Sequence, residues 1–229
     1  MKVDQNGTAY IRLVQFTSRS GKEFKEAISD LKGKGMKRLI LDLRDNSGGL
    51  LSAAIEITEC FLSRGQLIVS IKGRKRNDVR DYKSNSEEIF PDIPMAVLMN
   101  EGSASASEIV GGALSVLERA PIIGERSFGK GSVQTIFPME DESGLRLTTA
   151  MYFLPDGSTI HEEGIEPQFI VDCSDENETK LRIQRYSQDI MNLENFEKQF
   201  GFIPIVDVQL LKAEEILLSI EGAETDLNQ

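Results

Sequence analysis

Asn100-Glu-Gly-Ser-Ala-Ser-Ala-Ser-Glu108 and, further on, Ser127-Phe-Gly-Lys-Gly-Ser-Val-Gln134 decide how the rest of the chain is read. Just before them, Met95-Ala-Val-Leu-Met99 is a continuous apolar run, the pattern of a strand buried on both faces. Asn100-Glu-Gly102 ends that strand. Ile109 to Leu117 then reads as a helix, and Ser105 with Glu108 fits the S-x-x-E capping box at its start.

A serine in that place is ordinarily a helix cap, but Lys130 changes the reading. It stands between Gly129 and Gly131, where a backbone or a substrate can approach closely. Val133, Thr135, Ile136 and Phe137 predict a strand over 132–137, and a side-chain period of two puts Lys130 and Gln134 on one face. A serine at a helix start, a framed lysine and a neutral amide match a nucleophile, a base and an orienting group. A lysine base must be held neutral. Burial of Lys130 between the serine helix and its own loop is therefore expected, with no carboxylate against its amine. Gln134 suits the place, because its carbonyl accepts a hydrogen bond without adding charge.

Working outward, Ala9 to Phe16 alternates as a strand does, and Ser20 to Leu31 is an amphipathic helix with Phe24, Ala27, Ile28 and Leu31 on one stripe. Arg38 to Leu43 is a second strand. Asn46-Ser-Gly-Gly49 turns it into a helix over Leu50 to Leu62, and Gln66 to Ile71 is a further strand. This alternation predicts an α/β fold. Two glycines at a strand-to-helix turn expose backbone N–H groups, a ready site for an anion or oxyanion, although a plain tight turn has the same sequence. Lys72 to Lys83 is polar and basic, as in a solvated loop or an edge hairpin. Ser143-Gly144 marks a hairpin turn, followed by a strand over Leu145 to Phe153 and a turn at Pro155-Asp-Gly157. Past Asp172 the texture changes, so we expect a core over 1–173 and a helical segment over 174–229. Ile183, Tyr186, Ile190, Leu193 and Phe200 supply one expected stripe of that segment. Val208, Leu211 and Leu218 supply the last helix, ended by Gly222 and followed by a frayed tail.

Composition narrows the function. The 229 residues carry 26 Lys and Arg against 37 Asp and Glu, a formal charge of −11, which argues against a general nucleic-acid or anionic-membrane surface. No apolar run is long enough for a membrane-spanning helix, and Met1-Lys-Val-Asp opens without a secretory signal pattern. The single histidine, His161, lies in a polar turn-rich stretch and reads as a plain surface residue, which excludes a multi-histidine zinc site. Cys60 sits in an apolar helical pattern as a small buried hydrophobe, and a disulfide to Cys173 is left open. Gly124-Glu-Arg-Ser-Phe-Gly-Lys130 begins like a phosphate-binding loop. However, Gly131 stands where magnesium needs a hydroxyl, and a strand follows where a helix is required, so a nucleotide triphosphatase is rejected.

The stretches Gly102 to Ile109 and Phe128 to Gln134, with Leu41-Asp-Leu-Arg-Asp-Asn-Ser-Gly-Gly-Leu50 upstream and Gly164-Ile-Glu-Pro167 downstream, resemble the C-terminal processing (tail-specific) serine peptidases. The resemblance covers about Ala9 to Asp172, and Lys130 stands 25 residues after Ser105, the family's spacing. It implies a crotonase/Clp-protease-like α/β core with a helical C-terminal extension. It also implies a serine endopeptidase acting near the C-termini of protein or peptide substrates. Ser105 would be the nucleophile, Lys130 the base and Gln134 its orienting partner. The N–H groups of Ala106 and Gly48 would form the oxyanion hole, the choice of Gly48 over Gly49 being open. No metal or organic cofactor is implied, and homo-oligomer formation is left open. Ser47 stands where the family usually has proline, and no PDZ segment is visible, so a piece of a longer exported protein and a short form both fit. A non-catalytic ligand- or peptide-binding module of the same fold is the alternative, and joint retention of Ser105, Lys130 and Gln134 argues against it.

Overall fold

In the computed structural model, which describes residues 2–85, 90, 93–187 and 193–227, the apolar runs of the sequence become the inner strands of a sheet. In chain order the elements are β1 (Lys2–Val3), β2 (Thr8–Arg12), α1 (Ser20–Gly33), β3 (Arg38–Asp42), α2 (Leu51–Thr58), β4 (Leu67–Gly73), β5 (Val79–Lys83) and β6 (Met95–Met99). They continue with α3 (Ala106–Val116), β7 (Ile122–Gly124), β8 (Ser132–Pro138), β9 (Gly144–Phe153), β10 (Phe169–Ile170), α4 (Asp175–Ser187), α5 (Leu193–Phe200) and α6 (Val208–Leu227). A short 3-10 turn, Glu59–Phe61, completes the helical run that the sequence extended to Leu62.

Among the described residues one sheet has the order β1-β2-β3-β6-β7-β10. Its strands are parallel except for the edge strand β1. A second, antiparallel sheet has the order β5-β4-β9-β8, and the basic stretch Lys72 to Lys83 forms its edge hairpin. Every residue of β3 and β6 is buried, because helices cover both faces of the parallel sheet. Successive side chains alternate between those faces. Leu39, Leu41, Val97 and Met99 meet Phe24, Ile28, Ile57 and Val110 on the side of α1, α2 and α3. Ile40, Ala96, Leu98 and Ile123 meet Ala213, Ile216 and Leu217 of α6 on the other side. Fully burying each such leucine or isoleucine contributes roughly 1.5–3 kcal/mol.

Polar groups fix α6 in register. Arg44, wholly buried, donates through Nε and Nη2 to Asp42 at 3.0 and 2.6 Å, and through Nη1 to Asp207 and Gln209 at 2.8 and 3.0 Å. Burial alone would push the Asp42 carboxyl up. The charge and hydrogen bonds of Arg44 more than offset that and hold it at about 2. The Leu-Asp-Leu-Arg run therefore anchors the C-terminal helix besides leading into the glycine turn.

The C-terminal stripes differ from those expected. In α4 the buried residues are Leu181 and Gln184, while Tyr186 is exposed; Ile190 lies outside the described residues. In α6 the expected Val208, Leu211 and Leu218 face outward, and Gln209, Ala213, Ile216 and Leu217 face the sheet. The reason is the Arg44 anchor, which turns Gln209 inward. Gly222 does not end the helix, which continues to Leu227; one helical glycine costs only about 1 kcal/mol. Both cysteines are free, and burial pushes the Cys60 thiol up to about 11.

Three connections leave the carboxyl ends of neighbouring parallel strands. β3 leads into Asn46–Gly49, β6 into Asn100–Ser105, and β7 into the loop that carries Lys130. Ligand crevices of open α/β sheets lie at this edge.

Candidate active site

Ser105 is the N-cap of α3, with φ 57° and ψ −111°. An N-cap normally has β-region dihedrals, and this one lies where a Cβ is strongly disfavoured, at a cost of about 1–3 kcal/mol. The surroundings impose it. Ala104 N–H and Ser107 Oγ both donate to the Asn46 carbonyl, at 3.0 and 2.7 Å. Ser103 Oγ donates to the Leu43 carbonyl at 2.9 Å. The two flanking serines are thus fully buried and bonded to the backbone of the β3 loop, whereas Ser105 between them is only partly buried.

The glycine turn lies against this serine. A Cβ on Gly48 would come within 2.7 Å of the Ala104 carbonyl, 2.9 Å of Ala106 N and 2.9 Å of Ser105 Cβ, and its φ is +99°. Only glycine allows that approach. Gly48 N–H donates to Asn46 Oδ1 at 2.9 Å. Among the described residues, the N–H groups of Gly49 and Ala106 have no acceptor. The expected pair of donors therefore consists of one open N–H, on Ala106, and one already engaged, on Gly48.

Glu108 joins the serine to the lysine loop. Its fully buried carboxylate accepts Ser105 N–H (2.7 Å) and Lys130 N–H (2.9 Å) on Oε2, and Gly129 N–H (2.7 Å) and Ser127 Oγ–H (2.5 Å) on Oε1. Ser127 Oγ in turn accepts Ile165 N–H at 2.7 Å, and Phe128 N–H donates to the Ser103 carbonyl at 3.0 Å. The glycine frame serves close backbone packing. A Cβ on Gly131 would lie 2.4 Å from His161 N, and one on Gly129 3.1 Å from Gly164 N.

Two expectations about the lysine fail. Lys130 is exposed, because the buried bonds hold its backbone and leave the side chain projecting outward. The strand β8 begins only at Ser132, and its register shifts between Val133 and Gln134, so the period of two does not carry from Lys130 to Gln134. Gln134 is also exposed, and among the described residues no hydrogen bond links the side chains of Ser105, Lys130 and Gln134. Among the described residues no carboxylate contacts the Lys130 side chain; Glu108 touches its backbone only. His161 is not a plain surface residue. It packs on Gly131, and its Nδ1 is buried without a partner. Sequence reasoning took Glu108 for a local cap and passed over Ser127 and Asn46. The capping box was the one signal for Glu108, and its tie to Lys130 is tertiary.

Residues 7–171, which contain all of these groups, match the peptidase family S41. The chain belongs to that family. The S41 relatives include a carboxy-terminal-processing protease of Bartonella bacilliformis, 48% identical over 167 residues, 71% of this chain and 38% of that protein. The carboxy-terminal processing protease CtpA of Bacillus subtilis is 36% identical over 181 residues, 76% of this chain and 37% of its own length. The chain thus spans under two fifths of the length of these two relatives. Among solved structures, the photosystem II D1 C-terminal processing protease superposes with TM-score 0.67 at 34% identity, covering 74% of this chain and 45% of that one. An S41 protease structure from Bacteroides fragilis, at 16% identity, shares the fold with TM-score 0.64, covering 94% of this chain and 55% of that one. The α/β, Clp-protease-like core expected from the sequence agrees with these S41 folds.

Proposed function

We propose that the chain is the catalytic core of a serine endopeptidase that cleaves protein substrates near their C-termini, with residues 1–173 as the core and 174–229 as a helical segment lying on it. The relatives are named for C-terminal processing. The observation that carries the reading is Ser105 itself. It is a partly exposed serine held in a strained turn at a helix start, directly before the open N–H of Ala106. Such a turn presents Oγ to a substrate in the manner of a nucleophile elbow.

Ser105 Oγ attacks the scissile carbonyl while Lys130 Nζ takes its proton. Ala106 N–H and a donor from the Gly48–Gly49 turn stabilise the oxyanion, Gly48 sharing its hydrogen with Asn46 Oδ1. Lys130 returns the proton to the leaving amine, and an ester remains on Ser105. Water, deprotonated by the same lysine, attacks the ester carbonyl; the bond to Ser105 Oγ breaks, Lys130 returns the proton to Oγ, and the acid leaves. On binding of substrate, the exposed Gln134 side chain would swing to Lys130 so that its carbonyl accepts a hydrogen bond from the lysine amine. Because Lys130 is exposed, the substrate itself supplies the desolvation that favours the neutral amine. A peptide lying over the loop removes water from Nζ as it brings the carbonyl to Oγ. The mechanism calls on no metal or organic cofactor.

Labelling by a fluorophosphonate probe tests the reading. Wild type and the Ser103→Ala and Ser107→Ala variants should react, and Ser105→Ala should not. Labelling of Ser105→Ala would overturn the assignment of the nucleophile, and an unreactive wild type would favour a non-catalytic binding module.

A further inference from the structure

Strands β8 and β9 outrun the rest of their sheet. β4 flanks β9 only from Phe153 to Ala150, where Gly73 ends β4. From Thr149 back to Gly144, β9 has β8 alone beside it among the described residues. The result is a projecting two-stranded ribbon, roughly 20 Å long at about 3.3 Å per residue. Phe137 lies opposite Leu145, and Thr135 opposite Leu147, so these four side chains share one face. Phe137, Leu145 and Leu147 are 42%, 46% and 45% exposed. A two-stranded ribbon on its own is marginally stable in water, and a contiguous exposed apolar stripe marks an interaction surface.

Charge is laid out along the same ribbon. Glu140-Asp141-Glu142 form its tip. Arg74-Lys75-Arg76 stand in the β4–β5 turn, closed by the bond from Gly73 N–H to the Asp78 carbonyl at 2.7 Å. Gly73 lies opposite Ala150, so this turn sits at the ribbon's root. All six charged side chains are exposed, and among the described residues none is in an ion pair. From root to tip the pattern is therefore basic, apolar, acidic. Turned end for end about a two-fold axis, such a pattern meets its own complement. Each tip comes to the partner's root, and apolar stripe lies on apolar stripe. An extended apolar peptide would cover the stripe but leave both charge clusters unmatched, and an anionic membrane would be repelled by the tip.

We propose that the β8–β9 ribbon is a self-complementary interface that pairs two copies of this chain antiparallel, tip to root. Sedimentation velocity of the full chain over a dilution series tests it. A dimer should form as concentration rises, and added salt should weaken it, since exposed charges are screened. Leu145→Asp should prevent it. Glu140→Lys with Glu142→Lys reverses the tip, and Arg74→Glu with Arg76→Glu reverses the root. Each double variant alone should dimerise at least about tenfold more weakly, because like charges then face each other. An equimolar mixture of the two should associate as a heterodimer, in which every tip again meets a root of opposite sign. That rescue shows that both variants are folded, and circular dichroism checks the fold of Leu145→Asp. A wild type that stays monomeric overturns the proposal. So does undiminished dimerisation of either reversed variant or of a folded Leu145→Asp protein, and so do reversed variants that stay apart when mixed. A monomeric wild type in which Leu145→Asp stops cleavage of an unfolded protein would assign the stripe to substrate instead.

Discussion

The backbone N–H groups of Ser105 and Lys130 meet on a single atom, Glu108 Oε2, at 2.7 and 2.9 Å. Residues far apart in sequence are thereby set relative to each other by one carboxylate. Glu108→Ala strands buried donors at about 1–3 kcal/mol apiece, so it should lower the unfolding free energy by about 3 kcal/mol or more. Peptidase activity should fall at least about a hundredfold in the fraction that remains folded. Urea unfolding and active-site titration measure the two separately, and a fully active, undestabilised variant would remove Glu108 from the site.

The dihedrals of Ser105 predict an unusual split between stability and activity. Ser105→Gly relieves the backbone strain, partly offset by the entropy of glycine, and should stabilise the protein by about 1 kcal/mol while abolishing hydrolysis. Ser105→Ala should be equally inactive with little gain in stability. Chemical denaturation of the three proteins side by side checks the difference. A glycine variant less stable than the alanine one would mean that the turn is not strained.

Gly48→Ala should be inactive. Its φ of +99° disfavours any side chain, and the new methyl group would press on Ala104 O and Ala106 N. We expect a loss of about 1–3 kcal/mol in stability and of at least about a hundredfold in kcat with a smaller change in KM, since the oxyanion donors act in the transition state. Steady-state kinetics show which parameter moves.

Lys130→Arg should be inactive, because arginine keeps its proton. Gln134→Glu should be worse than Gln134→Ala, since the added charge favours the ammonium form of the base. In the glutamate variant the rise of kcat/KM with pH should shift to higher pH. An unshifted profile with wild-type activity would show that Lys130 does not act as the base.

Acid should weaken the core through Asp42. Its carboxyl is held at about 2 in the folded chain, below the ordinary value of about 3.9. A depressed pKa adds stability that is complete above the unfolded value and is lost as pH falls through the folded one. The Asp42–Arg44 contribution, roughly 2–3 kcal/mol by this linkage, should therefore disappear as the pH falls from about 4 through about 2. Asp42→Asn should flatten that part of the profile of urea midpoint against pH.

The inner sheet was legible because it needs only local information. Arg38 to Asp42 and Met95 to Met99 are apolar enough to declare burial on both faces. The choice of Ser105 among three serines rested on the family resemblance, and the flanking hydroxyls being used as struts supports proposing Ser105 rather than Ser103 or Ser107 as the nucleophile. The C-terminal stripes were not legible. Gln209 turns inward because a buried arginine on a distant strand awaits it, and no periodicity of apolar residues reports such a partner. Tyr186 stays outside the core because it stacks on Arg12. The exposure of Lys130 was hidden because burial was inferred from the chemistry a lysine base requires, whereas its loop is buried through backbone groups that leave the side chain outside.

The carboxylate that gathers the two loops also sets how they can move in time. Ser105, Gly129 and Lys130 share one acceptor group, so none of their amides can open far without disturbing the shell around the same buried charge. Their protons should exchange with solvent deuterium at a common slow rate, governed by a joint opening of both loops. The Lys130 side chain, free of that shell, can sample its rotamers on the fast scale of exposed residues. The molecule thus carries a quick arm on a slow mount, so that the orientation of the proposed base would be searched afresh for each substrate while the position of the proposed nucleophile would not.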